Sequence, residues 1–213
     1  FVINVSSNQT NHIQTIYLGS GCFWGAEKGY ESIKGVINAE SGYANGYGIK
    51  PNYRSIIQFK NKHNENNYAE VVKVTFNNNA ITLEEILKHF FETHDPTQLN
   101  RQGNDIGTQY RSAIYYKNEN NKKIILASKE QYQKELNKKN LGYIETEIKM
   151  IDTYFYAEQY HQQYLASAGS RQYCSASPTK VKLGSFTGSN YILKDNIWEN
   201  FNWEVDKCVL RSD

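Results

Sequence analysis

The apolar and polar positions along the chain predict a run of short elements of both kinds. Ile16, Tyr17 and Leu18 read as a short strand. The glycines at 19 and 21 then allow a sharp turn, and residues 23–33 can wind into a helix. Residues 36–41 have strand character and run into Gly42-Tyr43-Ala44-Asn45-Gly46-Tyr47-Gly48, a glycine- and tyrosine-rich loop. Beyond Pro51-Asn52-Tyr53-Arg54, the asparagines between 61 and 67 suit a hairpin-like turn. Residues 68–76, dense in β-branched side chains, predict a strand. Thr82-Leu83-Glu84-Glu85 is a capping box, and Leu83, Ile86, Leu87 and Phe90 recur at helical spacing up to about Thr93.

A long irregular stretch, 94–111, carries almost no large aliphatic residues, and such connections are uncommon inside compact domains unless they build a site. Strand character returns over 112–116. A helix is expected over 120–137 with Ile124, Tyr132 and Leu136 inward, then a strand over 144–151 and a last helical segment over 157–165. This order predicts an α+β domain with a mixed sheet, helices packed on it and a ferredoxin-like core. Residues 1–13 read as a polar arm, 14–168 as the domain and 169–213 as an irregular extension. Phe186, Tyr191, Ile192, Trp198, Phe201 and Trp203 make that extension too hydrophobic for a free linker, so it is expected to wrap onto the domain.

Composition narrows the classes. The chain has 213 residues, enough for one substantial domain and too few for two of ordinary size. Its 24 Lys plus Arg are balanced by 22 Asp plus Glu and are scattered, which argues against a nucleic-acid partner. No apolar run reaches the roughly 18 residues that span a bilayer. The chain starts at Phe1 with no initiator methionine. An upstream segment is therefore expected to have been removed, with a cytoplasmic location as the default and export to a periplasm as the alternative. Cys22, Cys174 and Cys208 are an odd number at wide spacing, fitting neither a disulfide scaffold nor a CxxC zinc framework.

The candidate chemistry centres on Gly19-Ser20-Gly21-Cys22-Phe23-Trp24-Gly25-Ala26-Glu27. Cys22 falls at a helix amino terminus, where unpaired N–H groups and the macrodipole favour a thiolate; a buried structural cysteine is the alternative. Glu70 lies in a strand of apolar neighbours, where desolvation could keep it protonated for general-acid work. An outward-facing glutamate paired with a lysine is the commoner arrangement. Tyr43, Tyr47, Tyr53 and Tyr110 sit in or beside loops that could rim a pocket and offer hydroxyl donors, though most tyrosines simply pack with a wet tip. Phe23 and Trp24 could form an apolar slot, and Asp105 could orient a pocket group or cap a turn. His161 has no second His or Cys at metal-ligand spacing, so no metal is expected.

Seven stretches carry a resemblance. Gly21-Cys22-Phe23-Trp24-Gly25-Ala26-Glu27, Ser41-Gly42-Tyr43-Ala44, Ala69-Glu70-Val71-Val72, His94-Asp95-Pro96-Thr97, Asn100-Arg101-Gln102-Gly103-Asn104-Asp105, Gly107-Thr108-Gln109-Tyr110-Arg111-Ser112-Ala113-Ile114 and Ala157-Glu158-Gln159-Tyr160-His161-Gln162 resemble the signature blocks of the A-type peptide methionine sulfoxide reductases. They stand in that family's order and cover residues 15–166. The resemblance implies reduction of the S epimer of free or peptide-bound methionine sulfoxide. It implies that the Cys22 thiolate attacks the sulfoxide sulfur while Glu70 protonates the oxygen, held by Tyr53 and Tyr110. Phe23, Trp24 and Tyr43 would bind substrate, and Asp105 would line the polar side.

The resemblance also implies that a second thiol condenses with the Cys22 sulfenic acid. Cys174 stands where that resolving thiol is expected, although Ser175-Ala176-Ser177-Pro178 replaces the family's glycines. Cys208 could be a second recycling thiol, a disulfide partner of Cys174, or inert. No bound cofactor is implied; reducing equivalents would come from thioredoxin or a similar dithiol, and a monomer is expected. Asn66-Asn67-Tyr68, ahead of Glu70, departs from the family's Thr-Gly-His-like run.

Overall fold

The computed structural model describes residues 12–166 and 175–186. The polar arm up to residue 11, Cys174, Cys208 and the aromatic residues from Tyr191 to Trp203 lie outside them. The described chain forms strands β1 (Ile13–Gly19), β2 (Val36–Ala44), β3 (Ala69–Asn77), β4 (Arg101–Gln102), β5 (Asp105–Ile106), β6 (Ala113–Tyr116), β7 (Glu147–Met150) and β8 (Tyr154–Tyr156). Its helices are α1 (Phe23–Glu31), α2 (Tyr53–Ile56), α3 (Leu83–Glu92) and α4 (Lys122–Lys138).

Six strands form one sheet in the order β7-β6-β1-β3-β2-β8, while β4 and β5 make a separate small hairpin. Only β6 and β7 are parallel; every other pair in the sheet is antiparallel. Its central part, β6-β1-β3-β2, has β3 inserted between the two strands that α1 connects. That is the split β-α-β arrangement of a ferredoxin-like core, extended by one strand on each side.

Strand parity sorts the side chains. On β3, Val72, Val74 and Phe76 belong to the main core with Phe23 and Tyr30 of α1 and Ile86, Leu87, Phe90 and Phe91 of α3. Val71 instead joins Tyr17, Ala44, Ala69, Ala113 and Tyr115 on the opposite face. Because side chains alternate, Glu70 lies on the helix-covered face, in the row that continues through Val72 and Val74. Lys73, of opposite parity, pairs with Glu40 of β2 at 3.7 Å. The face without helices is covered partly by Tyr154, whose ring lies 5.0 Å from that of Tyr17 and against Gly42, where a Cβ would come 2.2 Å from the ring.

The capping box is present: the Thr82 hydroxyl accepts from the Glu85 amide and the Glu85 carboxylate accepts from the Thr82 amide. In α4, Tyr132 and Leu136 are buried as expected, with Ile125 rather than Ile124 fully inside. Three expectations need correction. Strand β2 runs on through Gly42 and Tyr43 to Ala44, because those residues pair with β3 on one edge and β8 on the other. The strand expected over 144–151 is confined to β7, and the short β8 beyond it was not anticipated. The helix expected over 157–165 is instead two 3-10 turns, Gln159–His161 and Tyr164–Ala166. Gln162 is extended and Gln163 has a φ of +50°, so the helix cannot propagate between them.

Residues 175–186 pack against α3 and α4. Leu183 and Phe186 enter the main core. The Leu183 amide donates to Glu92 at 3.0 Å, its carbonyl accepts from Gln131, and the Val181 carbonyl accepts from the Tyr132 hydroxyl at 3.0 Å. Among the described residues, no helix is long and apolar enough to cross a membrane.

Candidate active site

Cys22 is the N-cap residue of α1 and half-buried. It follows Gly21, whose φ of +94° needs glycine and whose Cβ, if present, would come 2.7 Å from Cβ of Gln102. The next residue, Phe23, donates its backbone N–H to the Glu70 carboxyl group. That bond ties the thiol-bearing turn to β3.

Glu70 is 1 % exposed, and its Oε2 has no hydrogen-bond partner among the described residues. Burial pushes its carboxyl well above the usual range; Asp105 and Glu158 add to the shift, and the Phe23 amide opposes it. Burial thus favours the neutral carboxylic acid here, with the Phe23 amide the one group that favours the ionised form. The inward placement answers the open alternative: Glu70 does not face outward toward a lysine.

Tyr53, at the start of α2, and Tyr110, at the end of a 3-10 turn before β6, both feel this centre. Burial, then Glu70, Cys22 and Asp105, push Tyr53 up to about 12. Burial, then Glu70, Asp105 and Cys22, push Tyr110 further up. Both phenols therefore stay neutral donors over the physiological range. Asp105 reaches the group from the β4–β5 hairpin, so the long irregular stretch brings two of its residues, Asp105 and Tyr110, beside Glu70. Cys22, Glu70, Tyr53, Tyr110 and Asp105 thus share one locality, drawn from α1, β3, α2 and the 101–110 segment.

Phe23 is buried and Trp24 half-buried beside the thiol. The Trp24 indole N–H donates to Nδ1 of His161 at 2.9 Å, and its ring stacks on Tyr164 with centroids 3.9 Å apart. His161 lies within ring contact of Phe23 and Tyr53 at 5.1 and 4.7 Å. Burial lowers its pKa, with Glu158 pulling the other way, and a neutral ring leaves Nδ1 able to accept from Trp24. Tyr43 does not rim a pocket from a loop. It stands in β2 opposite Glu70, buried behind Phe23, with its hydroxyl donating to Glu158 at 2.6 Å.

Several supporting residues escaped sequence reasoning. Glu158 accepts from both the Tyr43 hydroxyl and the Tyr53 amide at 2.7 Å, fixing the start of α2. Gln162 accepts from the Ser41 amide at 2.9 Å and donates to the Ser41 and Ala157 carbonyls. Glu27 accepts from the Ser41 hydroxyl at 2.6 Å and from the Gln163 amide. Gln102 is buried; its Oε1 accepts from the amides of Asp95 and Ser177 at 3.0 and 2.9 Å. The only sequence signal for the first two is their membership of the Ala157–Gln162 block. Cys174 and Cys208 lie outside the described residues, but Ser175 is buried against Gly21 and Gly103.

The comparisons agree with this geometry. The family model described as peptide methionine sulfoxide reductase matches residues 14–190. The chain is 44 % identical over 183 residues to the mitochondrial peptide methionine sulfoxide reductase of Mus musculus, covering 84 % of this chain and 76 % of that one. It is 42 % identical over 178 residues to peptide methionine sulfoxide reductase MsrA of Vibrio vulnificus, covering 84 % and 82 %. Among solved structures, methionine sulfoxide reductase A of Corynebacterium diphtheriae superposes with a TM-score of 0.67 at 35 % identity, covering 79 % of this chain and 85 % of that one. Reduced Mxr1 of Saccharomyces cerevisiae gives 0.66 at 32 %, covering 78 % and 92 %. With Cys22, Glu70 and the two tyrosines assembled on this fold, the chain belongs to the A-type peptide methionine sulfoxide reductases, a family of oxidoreductases.

Proposed function

We propose that the protein reduces the S epimer of methionine sulfoxide, with Cys22 as nucleophile and Glu70 as proton donor. The observation that carries this reading is the buried Glu70 carboxyl beside the thiol-bearing turn, with Oε2 unpartnered among the described residues. A sulfoxide oxygen is a strong acceptor and needs neutral donors. A protonated Glu70 and the hydroxyls of Tyr53 and Tyr110 are three such groups. Phe23 and Trp24 take the methyl end of the substrate, Tyr43 supports that wall from behind, and Asp105 lines the polar side.

In the first step the Cys22 sulfur attacks the sulfoxide sulfur and the S–O oxygen receives the Glu70 proton. The oxygen then passes to Cys22, giving methionine and a Cys22 sulfenic acid; the sulfoxide is reduced and the thiol oxidised by two electrons. Condensation with a second thiol expels water and leaves a disulfide. Cys174 fills that role in this reading, supported by the burial of its neighbour Ser175 against Gly21 and by the anchoring of Ser177 on Gln102. Two thiol–disulfide exchanges with a thioredoxin-like dithiol restore the enzyme, with Cys208 as a candidate relay.

A disulfide map of the full chain after one equivalent of oxidised peptide, without reductant, tests the cycle. A Cys22 to Cys174 bond is expected, or a Cys174 to Cys208 bond if the relay operates. Three intact thiols after exposure to substrate would overturn the reading.

A further inference from the structure

The segment before Glu70 that departs from the family's run builds a groove of about 320 Å³ lined by Tyr47, Ile49, Asn52, Ser55, Lys60 and Tyr68 among others. It shares a wall with the active site. Helix α2 presents Tyr53 to the site, while Asn52, Ser55 and Ile56 line the groove. The floor is tied to the same machinery: the Thr108 amide and hydroxyl, two residues before Tyr110, donate to the carbonyls of Lys62 and Asn61.

Two properties mark this surface. It is apolar where soluble surfaces usually are not, with Ile49 91 % and Tyr47 70 % exposed in its lining. Its lining also carries two cations, Lys50 and Lys60, and no carboxylate; Arg54 and Lys62 stand nearby in sequence, and the exposed Glu65 lies at its edge.

We propose that this groove binds the polypeptide flanking the oxidised methionine, with preference for apolar residues accompanied by an acidic one. The inference rests on the reading above, since the occupant is the substrate of that same site. Methionine is mostly a core residue, and its sulfoxide disrupts cores, so the oxidised side chain arrives flanked by apolar neighbours that have lost their cover. Ile49 and Tyr47 meet those neighbours. Lys50 and Lys60 select an acidic flank and speed its encounter, and the exposed amides of Asn64 and Asn66 can hydrogen-bond an extended backbone.

Steady-state kinetics of the full chain with dithiothreitol as reductant test the proposal. The substrates are N-acetylmethionine sulfoxide amide and three otherwise identical apolar peptides with an acidic, neutral or basic residue beside the sulfoxide. The acidic peptide should exceed the basic one in kcat/KM by about tenfold. That ratio should collapse in Lys50→Glu/Lys60→Glu and, without any substitution, in about 1 M salt. The minimal amide should be indifferent to both changes. Equal kcat/KM for the three peptides in the unsubstituted protein would overturn the groove while leaving the catalytic reading intact. Failure to turn over the minimal amide would overturn the catalytic reading itself. A double variant impaired only when a thioredoxin-like protein replaces dithiothreitol would assign the surface to the reductant and also overturn the proposal.

Discussion

At the residue scale, Glu70 shows how much one position owes to strand parity. Its sequence context fits two opposite environments, and only the register with β2, Tyr43 opposite Glu70, places it under α1. Cys22, Phe23, Tyr53, Tyr110 and Asp105 were legible as candidates because glycine turns, aromatics and an aliphatic-poor segment mark them locally. Glu158, Gln162 and Gln102 were not, because their partners lie up to 121 residues away and no period announces such pairings. Replacing Glu70 separates donation from burial. Glu70→Ala should lose roughly a hundredfold to ten-thousandfold in kcat/KM, and Glu70→Gln at least about tenfold less, since an amide still donates a hydrogen bond. Burial holds the folded Glu70 proton where the unfolded chain has released it. In the proposed cycle the proton on Glu70 is therefore available at low pH and lost as pH rises through the raised pKa. An alkaline limb in the kcat/KM profile that vanishes in Glu70→Gln is the expected signature; a limb that persists unchanged in Glu70→Gln would contradict Glu70 as the proton donor.

At the element scale, the segment after β8 clamps the site. Its sequence reads as a helix because Tyr164 and Leu165 recur at helical spacing after Tyr160 and His161, yet Glu158, His161 and Gln162 turn toward β2 and α1 instead. Long-range polar pairing overrides local propensity here. Strand β8 was missed for a similar reason: three residues carry too little pattern, and its identity comes from pairing with β2. The longer elements were legible from stronger local signals: dense β-branched residues in β3, a capping box with helical spacing in α3, and apolar positions at helical spacing in α4. Glu27 supplies a test of the clamp. Burial raises its pKa from 4.5 to about 7, against the bonds from Ser41 and Gln163. A raised folded pKa means that stability from this group is full below about pH 4.5 and is lost as pH rises through about 7. Thermal midpoints of Glu27→Gln should be flatter than those of the unsubstituted protein across that window. Parallel curves would contradict the assignment.

At the scale of the whole molecule, a ferredoxin-like core extended at both edges gathers residues from α1, β3, α2 and the 101–110 segment, while residues 175–186 run from beside Gly21 across α3 and α4. The order of elements made the core legible; the path of that closing segment was not, since Leu183 and Phe186 are isolated apolar residues in polar surroundings. Leu183→Ala should cost about 2–5 kcal/mol, because the side chain is fully buried. In the proposed cycle it should also slow disulfide formation after the first turnover without slowing methionine release. Quenched-flow assay of methionine alongside thiol content separates the two steps. The fold and the chemistry meet in one stereochemical experiment: consumption of the separated sulfoxide epimers of N-acetylmethionine amide with dithiothreitol, by the full chain and by Cys22→Ser. Turnover of the S epimer alone, abolished in Cys22→Ser, is expected. An untouched S epimer, or turnover that survives the loss of the Cys22 thiol, would contradict the assignment of Cys22 as the nucleophile of a sulfoxide reductase.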